Sequence, residues 1–345
     1  MAYGIKALRR IQLGRESTAG TIIAASTVWR GEGVIEDARV VEFPSEDIGI
    51  IPATTRTYQP ALASKISLTA SPASFEQIGH LLEMSVIGTT AGVADGAGTG
   101  RVYTYTMPTT TAMYLSPSTS SVPIKSYTIE GGDNNEAEVS EFCHVTDFEI
   151  SFKAGEAVQC SANIMGRQVA LQAFTLSSIA TVPTVYDMLS SKAVLYIDST
   201  TATIGTTAIT NEILSGSIKV NSGIKAINTA DGALYFSFIK GTRPEITMDL
   251  TFEHSTFAKA EKVFWRAGTP RQFQVKFLGL PLTTSGTAYT NKALFVQMAG
   301  AYEKFSALED TDGDDTITAT VRAGYNSTAA LFAKFIVVNE LANIP

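Results

Sequence analysis

Charge is scarce in this sequence. Of 345 residues only 17% are Asp, Glu, Lys or Arg, while 45% are hydrophobic; an ordinary soluble domain carries roughly 25% charged residues. Thr, Ser, Ala and Gly make up the difference, a composition suited to strands and to broad protein–protein contacts. The charge that exists leans acidic, 33 Asp and Glu against 26 Lys and Arg for a net −7. That balance argues against a protein that grips nucleic acid by neutralising phosphates. Cysteine is nearly absent, and Cys143 and Cys160 cannot build a disulfide framework. The longest apolar run falls short of the ~18 residues of a membrane span; residues 331–345 come nearest and are broken by Lys334 and Asn339. The N-terminal segment lacks the apolar core of a secretory signal, so the expectation is a soluble protein used without Sec export.

Chemistry-bearing motifs are equally thin. His80, His144 and His254 lie in unrelated contexts with no metal-ligand spacing, and Cys143 and Cys160 read as small buried hydrophobes. The run Asp310-Thr-Asp312-Gly-Asp314-Asp315 has calcium-loop residues, but its Gly is misplaced and no helices flank it, so it reads as a hairpin turn. Residues 94–100 (ADGAGTG) lack the Lys-Ser/Thr of a phosphate loop and read as a flexible surface loop. With no nucleophile elbow and no assembled triad, neither an enzyme nor a cofactor is expected.

What is present is alternation. Residues 61–69, 101–106, 126–130, 146–153 and 157–165 switch between apolar and polar, as half-buried strands do. Residues 193–198, 214–220, 234–239, 245–252, 273–278, 292–298 and 316–323 behave alike. Only two segments carry helical spacing. Residues 71–84 place Phe75, Ile78, Leu81 and Leu82 on one face, with Pro72 near the start. Residues 255–267 do so with Phe257, Ala260, Val263 and Phe264, with Ser255 as N-cap and Gly268 as stop.

The helices reveal an internal repeat. Pro60-Ala-Leu62 and its strand parallel Pro244-Glu-Ile246 and its strand, and the helical faces follow in step. The strand at Val102 then parallels that at Gln272, and KSYTIEGGD from Lys125 parallels KALFVQMAG from Lys292. Both series end in a hairpin, turning at Ala154-Gly155-Glu156 and at Asp312-Gly313-Asp314. The expected division is one domain over residues 1–175 and its duplicate over 176–345, meeting in a Ser/Thr-rich linker at 171–183. Each copy also carries a long excursion, residues 43–59 and 222–243. Loops of that length inside compact domains are usually functional, and Ile50, Ile51, Tyr58, Tyr235, Phe236 and Phe238 are expected to be covered by neighbouring subunits.

Leu13-Gly-Arg-Glu-Ser-Thr-Ala-Gly-Thr21, Trp29, the stretch with Phe43-Pro44, Glu46-Asp47 and Ile48-Gly49, the expected helix over 72–82, Tyr127-Thr-Ile-Glu-Gly-Gly132 and Arg243-Pro-Glu-Ile-Thr247 resemble the tail tube (major tail) proteins of long-tailed (siphovirus) bacteriophages. The resemblance covers nearly the whole chain. It implies a mainly β chain with two tandem tail-tube β-sandwich or barrel domains, each with one flanking helix, related to the type VI secretion tube fold. It also implies a virion structural protein, assembled in the host cytoplasm, whose rings stack into the hollow tail tube through which DNA is ejected. Two domains per chain point to homotrimeric rings of pseudo-sixfold symmetry; a hexamer is the alternative. The implied partners are further copies of the chain, the tape-measure protein, initiator and terminator proteins, and DNA in transit, with no membrane. The competing readings are a terminator or baseplate ring, or a soluble binding or decoration module.

For such a tube the alternating strands assign a lumen. Asp147, Glu149, Ser151 and Lys153, then Gln159, Ser161 and Asn163, are its expected lining in the first copy. Asp249, Thr251, Thr316, Thr318, Thr320 and Arg322 take that role in the second. Rings are expected to stack through the excursions and through terminal arms at 1–13 and 331–345.

Overall fold

The computed structural model describes residues 3–52, 54–89, 91–109, 124–176, 182–230, 232–311 and 313–345. The chain is mainly β. Its first half runs β1 (Arg10–Arg15), β2 (Thr27–Val28), β3 (Gly33–Asp37), β4 (Val40–Glu42), β5 (Tyr58–Ala61), β6 (Ser64–Pro72) and α1 (Ile78–Ser85). Next come β7 (Ile87–Gly88), β8 (Val93–Ala94), β9 (Arg101–Thr106), β10 (Tyr127–Gly132), β11 (Ala137–Lys153), β12 (Gln159–Gly166) and β13 (Val169–Leu171). The second half opens with β14 (Ala193–Ser199), β15 (Ala208–Ile209), β16 (Ile213–Asn221), β17 (Ile224–Ile227), β18 (Phe238–Gly241) and β19 (Glu245–Glu253). It closes with α2 (Thr256–Arg266), β20 (Arg271–Pro281), β21 (Asn291–Phe305), β22 (Glu309–Thr311), β23 (Asp314–Ala323) and β24 (Ala333–Asn339).

The same strand map occurs twice. In the first half β1 pairs β2 and β10, β10 pairs β11, and the early part of β11 pairs β13. The later part of β11 pairs β12, β12 pairs β6, and β6 pairs β3. In the second half β14, β15, β20, β21, β24, β23, β19 and β16 repeat every one of these pairings. β11 and β21 each cross from one sheet of their half to the other. Each has a register shift at the same place, between Val145 and Asp147 and between Tyr302 and Lys304, the local irregularity that lets a long strand bend.

The halves are joined by a strand pair. Asp147, Glu149, Ser151 and Lys153 of β11 lie opposite Asn221, Lys219, Ser217 and Ser215 of β16. One sheet therefore runs β3–β6–β12–β11–β16–β19–β23–β21. Its buried face includes Ile66, Leu68, Phe148, Ile150, Ile218, Met248 and Leu250, and a single hydrophobic core continues through both halves.

Several expectations change. β6 continues through Ser71 and Pro72, which pair with Cys160 and Gln159, so α1 begins only at Ile78, and all eight of its residues are buried. In α2 the cap is as expected, with Ser255 accepting from the Phe257 and Ala258 amides, but Ala260 and Val263 are exposed while Ala258 and Glu261 face inward. The strand of Tyr127 occupies the place of β20, not of the strand after Lys292. Among the described residues β9 has no counterpart in the second half; it pairs with β24, β7 and β8. The strand read at 234–239 lies at Phe238–Gly241. Residues 177–181 of the expected linker lie outside the described residues; Thr175 and Leu176 are tied to Glu130 and Gln12. The C-terminal arm is core rather than projection, since β24 is buried along most of its length and Ile344 is fully enclosed.

The 94–100 turn is docked rather than free. Asp95 accepts from the Ala288 and Tyr289 amides, and a Cβ on Gly98 would come within 2.6 Å of Gly286. That close backbone approach requires glycine.

Candidate assembly surface

The expected lumen residues converge. All thirteen lie on strands of the continuous sheet, and on the face opposite its core. Asp147, Glu149 and Ser151 sit opposite Asn163, Ser161 and Gln159 across β11–β12; Asp249 and Thr251 sit opposite Thr320 and Thr318 across β19–β23. Lys153 and Arg322 are exposed on the same face. Thr316 is the exception in accessibility, being buried with its hydroxyl donating to the Glu309 carbonyl at 3.2 Å, so it cannot line a channel.

The strand β16, expected from alternation at 214–220 but not assigned to the lumen, completes this face. Ser215, Ser217, Lys219 and Asn221 bridge the two halves, and Lys65 and Ser67 extend the face along β6. Their alternation with Gly216, Ile218 and Val220 was the available signal.

The polar groups engage one another. Asn163 Nδ2 donates to Asp147 Oδ1 at 2.7 Å and Thr320 Oγ1 to Asp249 Oδ1 at 2.6 Å. Arg322 lies 3.0 Å from Glu245 and Lys219 3.9 Å from Glu149. Around Asp147, Glu149, Asn163 and Lys219 the face forms a recess of about 420 Å³. Lys65, Lys153, Lys219, Lys304 and Arg322 are interspersed with Glu36, Asp147, Glu149, Glu245, Asp249 and Glu253. The face is thus mixed in sign and without a basic excess.

At its two ends the sheet has edges that pair with no described residue: β3 beyond β6, and the β21–β22 side of the β23 hairpin. Each edge carries an exposed apolar side chain, Val34 on the polar face and Leu308 at the register shift between β21 and β22, both 50% exposed.

The excursions form two separate hairpins at equivalent points, β4–β5 between β3 and β6, and β17–β18 between β16 and β19. Ile50, Ile51 and Tyr58 are exposed, together with Val40, Val41, Phe43 and Ile48. The second hairpin is different. Phe236 is 3% exposed, stacked on Phe142 at 5.3 Å, and Arg167 donates to the Phe236 and Ser237 carbonyls. Phe236 is thus already covered by its own chain and is unavailable to a neighbour. Tyr235 lies near the Arg167 guanidinium, and Phe238 is half-buried.

Burial lowers the pKa of His80 to about 3 and of His144 to about 4, keeping both neutral, while it pushes Cys160 up to about 12. Among the described residues, no group of three or more His, Cys, Asp or Glu is placed to hold a metal ion. The 310–315 run forms the β22–β23 hairpin, with Gly313 in the left-handed region and its amide bonded to Asp310 at 2.8 Å; Asp312 lies outside the described residues. No helix among the described residues is long and apolar enough to cross a membrane. No family model matches the chain, and no curated protein is significantly similar to it.

Proposed function

We propose that this chain is a structural protein whose copies join edge to edge into rings that stack as a hollow tube, in the manner of the phage tail tube proteins it resembles. The observation that carries the reading is the repeated strand order joined head to tail. In sheet order β11, the last strand of the first unit, pairs with β16, the first of the second, leaving this sheet one opening edge at β3 and one closing edge at β21–β22 among the described residues. Such an interface is heterologous, and it closes into a ring when its rotation divides the circle. Ring closure also removes the free strand edges that would otherwise pair indiscriminately. With two units per chain, three chains complete a six-unit ring.

The polar sheet face supports the same reading. Turned to a lumen it would present hydroxyls, amides and charges of both signs, to which duplex DNA would bind little, since affinity for DNA grows with the number of phosphates neutralised by Lys and Arg. The function proposed is a conduit for DNA in a virion tail. Negative-stain microscopy of the purified protein tests it. Filaments with a central channel are expected; single rings would favour a terminator or baseplate component, and monomers at every concentration would favour a soluble binding or decoration module.

A further inference from the structure

We infer that the chain carries, in its own β11–β16 joint, the template for its joint with the next copy, including the register. The inference rests on the self-assembly proposed above. Strand pairing places Phe305 where Phe148 stands, each opposite an alanine, Ala319 and Ala162 respectively. It likewise places Gly33 where Gly216 stands, each opposite a leucine, Leu68 and Leu250. Phe305 pairs with Ala319 but Glu309 with Thr316, so the β21–β22 side carries one extra residue between them. Transferring the internal register, in which Ser151 lies between Gln159 and Ser217, therefore sets Glu309 of one copy, with Leu308 next to it, opposite Val34 of the next. Leu308 and Val34 are exposed apolar side chains at the two free edges, and the joint would bring them together.

The hairpin tips extend the argument. Within the chain the β11–β12 tip rests on the 3-10 turn before β14 (Ser190–Lys192): the Lys153 amide donates to Ser190 Oγ, and the Ser190 amide donates to the Glu156 carbonyl. The equivalent 3-10 turn before β1 is Lys6–Leu8. The equivalent tip belongs to the β22–β23 hairpin, and the transferred register sets this tip, Asp310 included, near Lys6. Here the charges are complementary. Glu309, Asp310, Asp314 and Asp315 are exposed on the tip, while Lys6, Arg9, Arg10 and Arg30 surround the turn, and none of the eight forms an ion pair among the described residues. The internal joint, by contrast, brings Lys153 and Glu156 against two serines and a lysine. The joint between copies is therefore the more electrostatic of the two, which makes it the salt-sensitive one.

The same transfer gives the β4–β5 hairpin an occupant role. Its counterpart covers Phe142 and Arg167 with Phe236; in the next copy Ala323 and Gly324 stand where Gly166 and Arg167 do. There a recess of about 430 Å³ opens between Pro244, Ile246, Ala323, Tyr325 and Phe332. The exposed Ile48, Ile50 and Ile51 are its proposed filling.

Paired cysteines test the register in the full chain. Under mild oxidation, Val34→Cys with Glu309→Cys is expected to link copies into multiples of the chain mass. Ser151→Cys with Ser217→Cys, the same step within one chain, should link without a change of mass. Lys6→Glu should raise the concentration needed for assembly by about fivefold, the scale of one exposed ion pair, and Asp310→Lys added to it should restore assembly. Rings or tubes that form without the 34–309 link would overturn this joint and leave the tube reading standing. Protein that stays monomeric by mass and by microscopy at every concentration would overturn both.

Discussion

The interior of this β protein is fastened by a few buried ions. Lys292 Nζ lies 2.8 Å from Glu76 Oε1 with both side chains almost fully enclosed, over the Tyr186 ring at 3.7 Å. The pair ties the turn before α1 to the start of β21, so it bridges the two halves. Each helix has a comparable anchor. Glu83 of α1 receives Arg15 at 3.1 Å and the Tyr127 hydroxyl at 2.7 Å; Glu261 of α2 receives Arg271 at 3.1 Å and the Tyr302 hydroxyl at 2.8 Å. Burial raises the pKa of both carboxyls, and the neighbouring arginine opposes the shift. Breaking one partner of such a pair strands a charge in the core. Lys292→Met should therefore cost about 3–5 kcal/mol, read as a lower denaturant midpoint, whereas Lys292→Met with Glu76→Leu should recover most of that loss. Equal destabilisation by the single and double changes would show that the pair contributes nothing specific.

The helices show how differently two equivalent elements can be stabilised. α2 begins with Ser255, whose oxygen accepts from the Phe257 and Ala258 amides at 3.1 and 3.4 Å, and much of its surface is open. Ser255→Ala should lower stability by about 1 kcal/mol in equilibrium unfolding, and an unchanged midpoint would mean the cap is dispensable. α1 has no side-chain cap and is too short to persist alone; it is held by burial on every side. Here the limits of the sequence are physical. Strands with one wet face announce themselves by alternation, so β6 as far as Thr69, the later part of β11, β12, β19 and β23 were legible, and with them the polar face. Residues 139–145 of β11 and 335–339 of β24 are enclosed on both faces, which erases the period of two. The apolar C-terminal run consequently read as a projecting arm. The repeat was detectable in order and type, but matching Lys125 to Lys292 displaced one strand, because only the pairing partners reveal that β10 stands where β20 does. Which strand adjoins which across the halves is a long-range fact, and no local pattern contains it.

For the whole molecule, the low charge and the strand map belong to one explanation. A surface poor in charge desolvates cheaply, as it must if the edges and hairpins of each copy are to be covered by another. On the polar sheet face hydroxyls and opposed charges satisfy each other and no basic stripe develops. Ser217 lies near the middle of that face, opposite Ser151 on one side and Asp249 on the other, and its side chain is partly accessible in the single chain. Converted to cysteine, it reports directly on which way the face turns in the assembly. In dissociated protein, Ser217→Cys should react with a small maleimide and with a bulky polymer-linked maleimide alike. Buried Cys143 and Cys160 give a low background. In assembled tubes the small reagent should still reach it through the channel, while the polymer-linked reagent should be confined to tube ends and lose most of its labelling. Full labelling of intact tubes by the bulky reagent would place this face on the outside, and the lumen assignment of Asp147, Glu149, Thr251 and their neighbours would fall with it.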